Sequence, residues 1–387
     1  MQMKCVWKAA MMLPLILSGT LPAQAADEVE GAVRRAVEPV MAEEDIPGLS
    51  VGLLVKGEPR VFHFGRQARQ GDAAVTDRTL FEIGSLSKTY TGTLLGRLAA
   101  EGTIDLSARA ESVLPALEGH PLGGATLQQL ATYTSGGLPL QVPDTVTEAT
   151  LLPYLQAFQP ESKIGTERLY SNVAIGLSGF LAAKAAGAPF AAAMESKLFS
   201  PLNLKDTMLV VPKARQADYA QGYRRDNAPV RVTPGLFDEQ AYGVKTTARD
   251  VLKFLAAAAK PEDLPFELAE GFRISQRGVY RVKAMHQGLG WELYAAPAEL
   301  NALMQGADPD FILKPNPVGL VGEPVTGPAV GTLSKTGSTA GFGAYALLQP
   351  ARNSGIVLLA NRFWPNDRRI RLAHDILAAV DPDFFAQ

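Results

Sequence analysis

The stretch "FEIGSLSKTY", residues 81–90, holds two serines and a lysine within four positions. Side chains three or four apart share a helix face, whereas neighbours diverge by about 100°. Ser85 therefore points the same way as Lys88, and Ser87 does not. Ser85 also follows Gly84 at an expected helix start, where free amide N–H groups and the helix dipole favour negative charge on a serine oxygen. The same position suits a serine that merely caps the helix. A rival nucleophile is Ser50 in "GLSVG", which matches a G-x-S-x-G elbow. That elbow needs a strand before the serine and a helix after it. Ser50 instead stands between "IPG", which ends a helix, and the strand-like "VGLLV", and reads as a strand residue.

A serine nucleophile needs a base. The four histidines, His63, His120, His286 and His374, share no pattern with it; His63 in "VFHFG" and His374 in the last helix read as packing or surface residues. Neither H-x-H nor H-E-x-x-H occurs, so no catalytic zinc, and no other cofactor, is expected. Two other stretches offer candidates. "LYSNVAIG" carries Tyr170 and Asn172, two apart and able to project from one side of a loop ahead of a helix. "LSKTGSTAGFGAY" sets Lys335, Thr336 and Gly337 on an expected strand, with Gly337 allowing close approach to the backbone.

These groups must be positioned by the elements around them. "DEVEGAVRRAVEPVMAEED" has apolar residues at helical spacing and ends at "IPG". "LSVGLLVKGEPRVFHFG" reads as a hairpin turning at "KGEP". "SLSKTYTGTLLGRLAAEG" reads as a helix stopping at Gly102, and helical segments separated by Gly/Pro loops dominate to about residue 270. Strand character returns in "GWELYA", "TLSKTGS", "GFGAYALLQP" and "SGIVLLANRF", the last two joined by "ARNS", and "NDRRIRLAHDILAAV" closes the chain as a helix. Strands towards both ends and helices between them imply an α/β unit built from residues 26–100 and 271–387, with a mainly helical insertion at 101–270. A cleft between the two is where a site is expected.

Lys4 and Lys8, the apolar run from Ala9 to Leu17 and the small residues before Ala26 have the form of a secretory signal peptide over residues 1–25, too short to span a membrane. The single cysteine, Cys5, would leave with it. Without Lys4 and Lys8 the chain carries 35 basic against 39 acidic residues. That weak acidity argues against nucleic acid and anionic membranes as partners. A soluble, exported monomer without a membrane anchor is expected.

Ser85-Leu86-Ser87-Lys88, Tyr170-Ser171-Asn172 and Lys335-Thr336-Gly337, in this order, resemble the three motifs of the class C (AmpC-type) serine β-lactamases. "LATYTSGGLPLQVPD", "AYGVKTTARD", "QGLGWE" and "GIVLLANRFWPN" extend the likeness over nearly the whole chain past residue 25. Ser171, where the family more often has alanine, and Trp364, where tyrosine is frequent, bear on substrate preference. The resemblance implies an α/β (α+β sandwich) fold, with an antiparallel sheet flanked by the terminal helices and a helical inserted domain. It also implies a periplasmic enzyme that opens cephalosporins and penicillins through an acyl-enzyme on Ser85. The backbone N–H groups of Ser85 and Ser338 would form the oxyanion hole. Lys88 and Lys335 flanking Tyr170 would make its phenolate accessible and each depress the other, which leaves Tyr170 and neutral Lys88 both open as the acylation base. Gln141, Asn172 and Tyr242 would hold the substrate's amide side chain; Thr336, Asn366 and Arg369, with Lys335 and Gly337 nearby, would receive its carboxylate. A D-alanyl-D-alanine carboxypeptidase, an esterase of the same superfamily and a non-catalytic penicillin-binding sensor are the alternatives.

Overall fold

The structure, a computed structural model, describes residues 23–386. The expected leader, with Cys5, lies outside the described residues except for its last three positions, which open helix α1 (Ala23–Glu43). Val33 and Val37 are the fully buried edge of the apolar stripe on that helix. Next comes the expected hairpin, β1 (Gly48–Val55) and β2 (Glu58–Gly65). Its two-residue turn, Lys56–Gly57, has positive φ at both positions, the geometry that matches the twist of paired strands.

A tight turn at Gly84–Leu86 leads into α2 (Ser87–Ala100). Then follow α3 (Asn172–Ala185), α4 (Ala248–Ala259) and α5 (Phe266–Ser275). Residue 270, expected to close the helical segment, lies inside α5, which packs along α2. The strands that follow are β3 (Gly278–Val282), β4 (Met285–Gln287), β5 (Glu292–Tyr294), β6 (Gly319–Val325), β7 (Thr332–Ser338), β8 (Gly343–Gln349) and β9 (Ser354–Ala360); α6 (Asn366–Val380) comes last among the longer elements. All nine strands form one sheet in the order β6-β3-β4-β5-β7-β8-β9-β1-β2, antiparallel at every pairing.

Both faces of the central strands are covered, which explains why "GIVLLA" is continuously apolar instead of alternating. Leu49, Val51, Leu53, Ile356 and Leu358 face α1 and α6. Val357, Leu359, Ala344 and Ala346 face α4 and the helical layer on the other side. Strands β3, β4 and β6 were not expected from the pattern. The β3–β4 turn places Lys283, not glycine or asparagine, at φ 53°, and β6 is an irregular edge strand interrupted by Gly322 and Pro324.

Candidate active site

The turn before α2 is set down on β7 by two glycines. Gly84 has φ 51°, and a β-carbon there would stand 2.4 Å from the Ser338 nitrogen; one on Gly337 would stand 2.0 Å from the Ile83 carbonyl oxygen. Only hydrogen at both positions lets this backbone contact form. Ser85, inside the turn, is thereby held over the Gly337–Ser338 end of β7. Ser87 turns away into the core, where its Oγ accepts from the Val244 amide at 3.1 Å.

Lys88 is fully buried on the first turn of α2. Its Nζ donates to Ser85 Oγ at 2.9 Å and to the Ala241 carbonyl at 2.8 Å. Burial pushes its pKa down to about 8, with the Lys335 charge adding to the fall and Tyr170 opposing it. Lys335 follows the opposite course. Burial alone would lower it, but the Glu292 carboxylate, 2.8 Å away and itself buried, outweighs that and holds Lys335 above the usual lysine range. Mutual depression of both lysines was the sequence expectation; a carboxylate on the neighbouring strand β5 removes it for Lys335.

Tyr170 lies between them, its ring centroid 5.0 Å from Lys88 Nζ and 5.1 Å from Lys335 Nζ. Burial would raise the phenol, yet the charges of Lys335 and Lys88 outweigh it and bring Tyr170 below its ordinary value. Tyr170 Oη has no hydrogen-bond partner of standard geometry, while Ser85 and Lys88 stand close enough to favour its ionised form. A third cation, the buried Arg168 guanidinium, lies 5.6 Å from the ring centroid and is held by Gln287 Oε1 at 2.8 Å. Three cations thus surround Tyr170 against one carboxylate, Glu292, an arrangement that favours a negative phenolate.

Ser171 is the N-cap of α3: its Oγ accepts from the Ala174 amide at 2.9 Å and donates to the Pro139 carbonyl at 2.6 Å. Its departure from alanine therefore serves the helix start and does not touch the cleft. Asn172 opens α3, with its amide N–H on the Leu140 carbonyl at 3.0 Å, which brings Gln141 alongside. Ser85, Gln141, Asn172, Tyr242 and Ser338 together line a cavity of about 490 Å3, and Asn172 Oδ1 is buried without a partner. A second cavity of about 990 Å3 shares Ser338 and Phe363 with the first and is lined by Asn366. Thr336 and Gly337 lie buried on β7.

Two residues expected to bear on the substrate are buried and line neither cavity. Arg369 is fully buried and lines neither cavity. Its Nη1 donates to the Gly337 carbonyl and Ser338 Oγ, and its Nη2 to the Trp364 carbonyl. The first turn of α6 carries it under the strand ends and away from both cavities, which corrects the expectation that it receives the substrate's carboxylate. Trp364 is likewise buried and cannot act on substrate preference by direct contact.

Glu292 and Arg168 are the residues that spacing did not single out. Both were present in quoted or adjacent segments, "QGLGWE" and "ERLYSN", but a period-2 strand gives no sign that one carboxylate will meet a lysine on the strand paired beside it. Ser50 Oγ lies 3.0 Å from His63 Nδ1, whose Nε2 lies 3.0 Å from Asp77. The chain of contacts has the form of a hydrolytic triad, but Ser50 is 1% exposed and lines none of these cavities, so it ties β1 to β2.

A serine hydrogen-bonded to a buried lysine, beside a tyrosine enclosed by cations and under a glycine-bearing strand, has the make-up of an active-serine hydrolase that works without histidine. The model of the family described as Beta-lactamase matches residues 33–381. The chain is 41% identical to a β-lactamase of Pseudomonas fluorescens over 92% of its own length and all of that protein. It is 38% identical to one of Escherichia coli (strain K12), over 97% of this chain and all of that one. Among solved structures it is similar to the D-alanine carboxypeptidase AmpC from Burkholderia cenocepacia, with TM-score 0.87 and 40% identity over 92% of this chain and 99% of that one. The chain belongs to the β-lactamase family.

Proposed function

We propose that the protein is a class C enzyme that hydrolyses cephalosporins and penicillins through an acyl-enzyme on Ser85. The observation that carries the proposal is the Ser85–Lys88–Tyr170–Lys335 cluster, with Lys88 Nζ 2.9 Å from Ser85 Oγ and Tyr170 flanked by both lysines. Ser85 Oγ attacks the lactam carbonyl carbon and gives its proton to the base, Tyr170 phenolate or neutral Lys88. The carbonyl oxygen becomes an oxyanion facing the Ser85 and Ser338 N–H groups, each such donor being worth roughly 3 kcal/mol. As the C–N bond breaks, the ring nitrogen takes the proton and an ester on Ser85 remains. Water then attacks the ester, its proton passes to Tyr170, and Ser85 leaves with a proton restored.

With its pKa at about 8, Lys88 is roughly nine-tenths protonated at pH 7. As a cation it donates to Ser85 Oγ and supports the phenolate. Lys335, paired with Glu292, serves as a fixed positive charge. Gln141, Asn172 and Tyr242 hold the acylamino side chain in the smaller cavity. Thr336 and Asn366 receive the carboxylate, and the larger cavity takes the substituent beyond it. Export to the periplasm, with removal of residues 1–25, places the enzyme where β-lactams meet their targets and confers resistance as a monomer.

A second reading, a D-alanyl-D-alanine carboxypeptidase, is favoured by the similarity to AmpC of Burkholderia cenocepacia, a D-alanine carboxypeptidase. Deacylation separates the two, because a peptidase acylates and then stalls on a β-lactam. Purified protein given excess chromogenic cephalosporin should turn over many equivalents. A burst of one equivalent followed by no further product would assign the peptidase reading.

A further inference from the structure

Arg369, a fully buried cation beside the Gly337–Ser338 peptide, has no part in these steps. Arg369 has no carboxylate within 4.0 Å among the described residues, so the fold retains a desolvated charge held only by neutral acceptors. Its Nη1 donates to the Gly337 carbonyl at 2.7 Å, to Ser338 Oγ at 2.9 Å and, at greater length, to the Ala344 carbonyl at 3.3 Å. Glycine at residue 343 leaves room for both Trp364 and the guanidinium: a β-carbon there would stand 2.5 Å from the Trp364 ring and 2.7 Å from Arg369 Nη2.

The Gly337 carbonyl belongs to the same peptide unit as the Ser338 N–H. That unit is planar and trans, so its C=O and N–H point in opposite directions. A charged donor on the carbonyl fixes the direction of the N–H, and it draws electron density towards the oxygen, which strengthens the N–H as a donor. We propose that Arg369 is a positioning residue of the oxyanion hole, acting through the Gly337–Ser338 peptide and not by binding the substrate carboxylate. The proposal rests on the reading of Ser85 as nucleophile and the Ser338 N–H as oxyanion donor.

The test compares full-length wild type with Arg369→Met and Arg369→Lys. Acylation is timed with a cephalosporin and with an aryl thioester that lacks a carboxylate. The infrared carbonyl band is recorded on the acyl-enzyme of a slowly hydrolysed β-lactam. For Arg369→Met, acylation should slow roughly 10- to 100-fold, by the same factor on both substrates, and the acyl carbonyl band should move to higher wavenumber as its hydrogen bond weakens. Arg369→Lys, which keeps the charge but cannot reach every acceptor, should fall between; if the Met variant does not fold, the Lys variant carries the same comparison with a smaller shift. A loss confined to the cephalosporin would return Arg369 to carboxylate binding and overturn the proposal. So would an unmoved carbonyl band in folded variants, which would leave Arg369 a purely structural role. A wild type that forms no adduct on Ser85 would overturn the underlying reading and this inference with it, whereas a wild-type adduct with an unmoved band in the variants overturns this inference alone.

Discussion

Four side chains concentrate the chemistry, and their environments assign them different work. Burial brings Lys88 down to about 8, Glu292 keeps Lys335 charged, and the two cations together lower Tyr170. Ser85→Ala should abolish acyl-enzyme formation, while Ser50→Ala and Ser87→Ala should still give an adduct by intact mass; a folded Ser50→Ala protein that cannot be acylated would remove Ser85 from its role. Tyr170→Phe keeps the packing against Tyr133, whose ring centroid is 4.8 Å away, and deletes only the titrating oxygen. Steady-state hydrolysis should fall by roughly 10²- to 10⁴-fold, and unchanged turnover would exclude Tyr170 as a base. Ser85, Lys88, Tyr170 and Lys335 were singled out because they sit in three short motifs: helical spacing paired Ser85 with Lys88, and the family resemblance joined Tyr170 and Lys335 to them. Glu292 was not, since a carboxylate on a strand acquires meaning only from its partner strand.

At the scale of elements, β5 and β7 convert that partner into a pH property. Glu292 opposes Ser334 in the antiparallel register, next to Lys335. Lys335 has its folded pKa raised, so its charge is complete below the usual lysine value and is lost only as pH rises through the higher folded value. Glu292→Gln removes the group that raises it. Because Glu292 also raises Lys88, which titrates at about 8 and so first on the alkaline side, the alkaline limb of the kcat/KM profile should move to lower pH, and a limb that stays in place would show that Glu292 supports neither lysine's charge. Breaking such a buried pair also costs about 3–5 kcal/mol of stability, which chemical denaturation would register. Gly337→Ala tests the seat of the turn on β7. The added carbon meets backbone, which cannot rotate away, so acylation should fall by at least roughly tenfold with a stability loss of about 1–3 kcal/mol. An alanine variant with wild-type acylation would show that the close approach is unnecessary.

For the whole molecule, the strand-rich ends and helical middle made an α/β organisation legible, and the family resemblance added the antiparallel sheet flanked by helices; the continuously apolar β9 is explained by that two-sided cover. The irregular strands β3, β4 and β6 were not, because their turns and edges lack the usual residues and their pairing is set by tertiary contacts. Arg369 shows the same limit: it was expected at the substrate carboxylate, and only the docking of α6 on the sheet turns it inward. Export should be visible in the N-terminus of the protein recovered from a periplasmic fraction, which should begin at Ala26; a start at Met1 would contradict cleavage. The most direct test of the central claim is time-resolved intact-mass spectrometry with a cephalosporin, followed by digestion. The mass of one ring-opened antibiotic should appear on the peptide containing Ser85 and then vanish as hydrolysed product accumulates over many cycles. An adduct elsewhere, no adduct with no hydrolysis, or one that persists on Ser85 without turnover would contradict it.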